Sequence, residues 1–147
     1  MGVIAFLFAL VSGAAITVQA GNNSQLKKSL HDPIGALVIN YVLGLVSVVL
    51  VALAMRVPIP AAEKGSSVPW WAWMGGVLGI LYGLSVVFLA SQMGAAVLIA
   101  TVVTGQLVFS VVVDHFGWVG FEVHRASPLR IVGCALMVAG LALIAKF

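Results

Sequence analysis

Apolar residues run in five long stretches, over residues 3–20, 34–55, 70–90, 94–116 and 129–145, and short polar breaks separate them. A helix needs about 20 mostly apolar residues to cross the hydrocarbon core of a bilayer, and each stretch is near that length. The runs do not alternate. Val46 to Leu53 is apolar at every position but Ser47, where a barrel strand would show a polar face. Helices are the spanning form that remains. The pattern predicts an all-α membrane protein, with one domain of five transmembrane helices over residues 1–147.

The breaks read as surface loops. The first holds Asn22, Asn23, Ser24, Gln25, Lys27, Lys28, His31, Asp32 and Pro33. The second, residues 56–69, carries three prolines and Gly65-Ser66-Ser67. The third, Ser91-Gln92-Met93-Gly94, is barely a turn and predicts an antiparallel hairpin of helices three and four. The fourth, residues 117–128, holds Glu122, His124 and Arg125. Pro33, Pro69 and Pro128 fall at predicted helix starts, where the missing N–H costs least. Val18 and Ala20 sit at the spacing of a leader cleavage site, but no Lys or Arg precedes the first run, so a cleaved leader is not expected.

Composition agrees with the pattern. Hydrophobic residues make up 63% of the chain and charged ones 7%, where a soluble domain is about one quarter charged. The formal net charge is +3 and the basic residues are scattered, which leaves no footprint for nucleic acid. No Gly-rich phosphate loop precedes a helix, and no His/Cys spacing suits zinc. No catalytic residue, cofactor or metal is expected. Cys134 is alone, so an intrachain disulfide is impossible and an inert buried thiol is the default.

Small residues recur on helix three as Gly75, Gly79 and Gly83, one face on which backbones can approach closely. Gly13, Gly44, Gly133 and Gly140 offer similar faces. Trp70, Trp71 and Trp73 cluster at the start of helix three as an interfacial anchor; stacking of Trp73 on a substrate is the alternative. Polar groups at membrane depth are costly without a partner or a wet cavity. The informative ones are Gln19, Asn40, Tyr41, Tyr82, Ser85, Thr101, Thr104, Gln106 and Asp114. Gln106 reads equally as helix-to-helix glue or as a substrate contact. Asp114 either takes up a proton or pairs with a cationic substrate at a cavity mouth, pairs with Arg125 or Arg130, or caps a loop.

Several motifs together resemble a known group. They are Gln19 with Asn23 and Leu26, the opening Pro69-Trp70-Trp71-Ala72-Trp73-Met74-Gly75-Gly76-Val77-Leu78-Gly79, and the hairpin from Leu89 to Gly94-Ala95-Ala96. Thr104-Gly105-Gln106-Leu107, Asp114-His115-Phe116-Gly117 and the glycines of the last helix complete the set. The chain resembles the drug/metabolite transporter superfamily, in its small five-helix branch of YdcZ type. Asn40-Tyr41 departs from that pattern, which has an apolar or small residue before an aromatic one. The resemblance implies half of an inverted-repeat transporter, in a branch that occurs as single chains, as oppositely oriented pairs or as fused copies. Such a pair builds its site near the midplane, between the halves.

The expected function is therefore a multi-pass transporter in the bacterial inner membrane, carrying a small, neutral or weakly charged organic molecule by alternating access. Gln19, Asn23, Gln106 and Asp114 are the candidate cavity residues, with Tyr41, Tyr82 and Trp73 as aromatic lining. The lipid bilayer and an antiparallel partner, a second copy or a sibling chain, complete the assembly. Rival readings are a passive channel and a structural subunit of a larger complex.

Five spans put the termini on opposite sides. Arg56, Lys64, Arg125 and Arg130 then share the side of the N-terminus, against Lys27, Lys28 and Lys146. A Lys/Arg excess orients a membrane protein, and here there is almost none. Either the chain inserts both ways or a small bias fixes it. Dual insertion predicts that a cysteine placed at the N-terminus is labelled from both faces of the membrane. Labelling from one face alone would exclude it for a homodimer.

Overall fold

No proline interrupts the chain between Val3 and Leu30. In the structure, a computed structural model that describes residues 2–58 and 68–147, this whole segment is one helix, α1 (Val3–Leu30). Its 28 residues reach about 42 Å at 1.5 Å per residue, close to the roughly 40–45 Å of a bilayer with its headgroups. The first helix thus does not end near residue 20, and residues 22–30 are helix and not loop. Polarity suggested a loop there, but a polar segment without a breaker continues a helix already nucleated. Lys27 and Lys28 lie in the last turn, where cations complement the exposed carbonyls.

The true link is two residues long. His31, with a left-handed φ of 54°, ends α1. The Oδ1 of Asp32 then accepts the Ile34 N–H at 2.9 Å and caps α2 (Pro33–Ala54), with Pro33 in the first turn. So short a link makes α1 and α2 antiparallel neighbours, and they are in contact. The middle of the second predicted loop, with Lys64 and Gly65-Ser66-Ser67, lies outside the described residues.

The third span opens with a 3₁₀ turn over Trp70–Met74, a common form at helix N-termini, and continues as α3 (Gly75–Met93). Gly94 alone separates it from α4 (Ala95–Phe116). Its φ of +79° is backbone that glycine enters without steric cost. α4 ends on Gly117, also left-handed, where a side chain would meet Val123 Cγ2 at 2.7 Å. Ser127 caps α5 (Pro128–Lys146) by accepting the Arg130 N–H at 3.3 Å. The boundaries of the last four spans fall within a few residues of those predicted.

The chain forms two compact units, one ending at Ser91 and the other starting at Gln92. The first contains α1, α2 and nearly all of α3, and its core is Ala20, Ala36, Leu37, Gly83, Val86 and Val87. In the second, α4 packs on α5. All five helices are long and apolar enough to cross a membrane. Their outward faces are apolar, as at Ile4 and Leu129, which are 84% and 82% exposed. Acyl chains solvate such faces, where a soluble protein would keep apolar patches small.

The glycine face of α3 is less uniform than its spacing suggests. A Cβ at Gly75 or Gly76 meets nothing within 4 Å among the described residues, and one at Gly79 meets only Tyr41 Oη, at 3.9 Å. A Cβ at Gly83 meets Leu37 Cδ1 at 2.7 Å and Tyr41 Oη at 2.8 Å. Packing in the first unit therefore requires glycine at position 83 alone of the four. Gly83→Ala is expected to cost about 1–3 kcal/mol by overpacking, read as a lower thermal midpoint in detergent. Gly75→Ala should leave the midpoint level or slightly higher. Equal midpoints for Gly83→Ala and the parent would show that Tyr41 and Leu37 yield freely.

Candidate functional site

Three helices of the first unit line a partly open cavity of about 260 Å³. α1 lends Ile16, Gln19, Ala20 and Asn23, spaced three and four residues apart and so on one face. α2 lends Asn40 and Tyr41, and α3 lends Gly79, Tyr82, Gly83 and Val86. Asn23 lies eight residues before His31 and Asn40 eight after Asp32. The antiparallel hairpin thus sets both amides at one depth, roughly 12 Å below its tip.

Tyr41 fixes the spacing of α2 and α3. Its hydroxyl donates to the Gly79 carbonyl at 2.6 Å, using the second lone pair that a helical carbonyl keeps. The absent side chain at Gly83 lets the ring lie against the α3 backbone.

The other polar walls have no such partner. Among the described residues, the side chains of Gln19, Asn23, Asn40 and Tyr82 make no hydrogen bond, and no side-chain polar atom without a partner is fully buried. Asn23 is nevertheless 6% exposed. Amides at this depth without protein partners are costly unless water or a ligand satisfies them. No charged side chain lines it. Its chemistry is hydrogen bonding from three carboxamides, each able to donate and accept, beside two phenol rings.

The remaining sequence candidates lie elsewhere. Trp73 borders an open apolar groove of about 850 Å³ between α2 and α3, with Val38, Leu45, Val77 and Ile80. Tyr41 stands between the two hollows and lines both. Gln106 belongs to the second unit, exposed on α4 and without a hydrogen bond among the described residues. Asp114, in the same unit, pairs with Arg130, Oδ2 to Nη2 at 2.9 Å, rather than with Arg125. Arg130 Nη1 also donates to the His124 carbonyl at 3.1 Å, the His124 N–H donates to the Asp114 carbonyl at 2.8 Å, and the Ala126 N–H donates to His115 Nδ1 at 3.1 Å. That network closes the loop between α4 and α5 and accounts for Asp114 without a ligand.

Asn40 had no assigned role in the sequence. Its signal was the equal count from the α1–α2 link, which becomes readable only when α1 is known to reach Leu30.

Five apolar helices, three of them around an uncharged polar hollow, are the architecture of a multi-pass membrane protein. The chain belongs to the YdcZ family: the family model described as "Putative inner membrane exporter, YdcZ" matches residues 4–143. It is 27% identical over 139 residues to the inner membrane protein YdcZ of Escherichia coli (strain K12), covering 95% of this chain and 93% of that one. No solved structure matches it. Family and helices together make it a multi-pass protein of the inner membrane, in a transport class and not an enzyme class.

Tyr41→Phe removes one interhelical hydrogen bond at membrane depth and is expected to cost about 0.6–1 kcal/mol. The readout is the unfolding midpoint in detergent. An unchanged midpoint would mean that the bond to Gly79 adds nothing to stability.

Proposed function

We propose that this chain is half of an exporter that moves a small neutral organic molecule across the inner membrane by alternating access. The hollow among α1, α2 and α3 is its share of the site. Two chains, identical or siblings, pack in opposite orientations and rock about the site they complete. The observation that carries this reading is the cluster of unpartnered amides, Gln19, Asn23 and Asn40, facing an uncharged hollow at membrane depth. The volume of about 260 Å³ falls just short of the roughly 300–1,000 Å³ of complete ligand pockets, as suits a half-site. The even Lys/Arg balance supports the inverted pairing.

In this scheme the amides orient the polar edge of the substrate, while Tyr82 and Tyr41 pack on its apolar face. Gln106 is the second unit's candidate contact. Asp114, engaged by Arg130, holds the α4–α5 loop, so proton coupling through it is not proposed. Trp73 serves as an interfacial anchor. A wide channel would need polar lining through the whole membrane, and here the polar residues that α1 lends, Gln19 and Asn23, lie only about one helical turn apart.

Asn23→Leu and Gln19→Leu are expected to lower transport about tenfold or more, since a site that loses a hydrogen-bonding group binds a polar ligand poorly. The measurement is flux of a panel of neutral water-soluble compounds into proteoliposomes, with monodispersity as the control for folding. Parental flux of every transported compound in both variants would remove the hollow from the transport path.

A further inference from the structure

One helical turn beyond Asn23, on the same face of α1, stands Lys27. Its neighbour Lys28 is exposed, free to extend toward lipid headgroups, but Lys27 turns inward and is half-buried. The Lys27 Nζ donates to the Val87 carbonyl at 3.0 Å and to Ser91 Oγ at 3.4 Å, and it lies 5.7 Å from the centroid of the Phe88 ring. Val87 adjoins Val86, the cavity wall of α3 nearest that end. Ser91 is in the last turn of α3, where the carbonyl dipoles favour a cation. One ammonium thus joins α1 to α3 just past the hollow, through neutral acceptors and a ring face, and it forms no ion pair among the described residues.

We propose that Lys27 is a releasable latch that closes the hollow on the side of the α1–α2 link. The inference rests on reading the hollow as the transport site. Each contact is with a group for which water or a headgroup phosphate can substitute, so the ammonium lets go without leaving a buried carboxylate behind. Latched, α1 and α3 hold the hollow shut at that end. Released, they part and admit water beside Ala20 and Asn23.

The test places a cysteine on the cavity wall, Ala20→Cys, in a Cys134→Ser chain reconstituted in liposomes, and follows its reaction with a water-soluble maleimide. Lys27→Met should raise the labelling rate about tenfold, the scale of losing one charge-assisted hydrogen bond. Ser91→Ala should raise it by less, and Lys27→Arg should stay near the parent. The latch is refuted if Lys27→Met labels at the parental rate, or if Lys27→Arg rises as far as Lys27→Met. Should Lys27→Met fail to fold, Ser91→Ala and Lys27→Gln decide, and no rise in either refutes it. Flux measured in parallel separates the two readings. A labelling response with parental flux in Asn23→Leu keeps the latch and removes the transport site; lost flux without a labelling response removes the latch alone.

Discussion

Tyr41 reaches the backbone of α3 only because Gly83 presents no side chain to it. The seating of α2 on α3 follows from that approach. The hydroxyl bonds to Gly79, the ring edge occupies the space a side chain at position 83 would need, and Leu37 fills the gap above. In lipid there is no hydrophobic drive to bring two apolar helices together, so close van der Waals contact and interhelical hydrogen bonds must do it. The same ring divides the space between α2 and α3 into a polar hollow on one side and an apolar groove on the other.

The two units treat their polar groups differently. In the second, the polar residues at the end of α4 are mutually satisfied: Asp114, His115, His124 and Arg130 bond to one another's side chains or to the loop backbone. That is how a membrane protein holds a loop closed. In the first, three amides stand around a hollow without protein partners. A fold selected only for stability would replace such groups with apolar ones, because unpaired amides in hydrocarbon are costly. Asn23 and Asn40 stand beside the hollow at one depth, and on the proposed reading that makes it a site.

The class of fold was legible because the bilayer imposes it: five apolar runs of spanning length admit few alternatives. The error at the end of α1 had a physical origin. Asn22, Asn23, Ser24 and Gln25 read as loop by polarity, although nothing there breaks a helix. That misreading hid the match between Asn23 and Asn40, and it hid Lys27, which looked like a loop charge. The glycine spacing on α3 marked the right face, but which glycine the packing needs depends on Tyr41, a residue of another helix. Asp114 was ambiguous because Arg125 and Arg130 both follow it closely in sequence, and only the loop geometry selects Arg130.

The absence of charged side chains from the hollow bears on what can drive the process. Moving one elementary charge through a membrane potential exchanges about 2.3 kcal/mol per 100 mV. A neutral cargo carried past Gln19, Asn23, Asn40 and the two tyrosines moves no charge. On the proposed reading the voltage does no work on the movement of the cargo past this hollow.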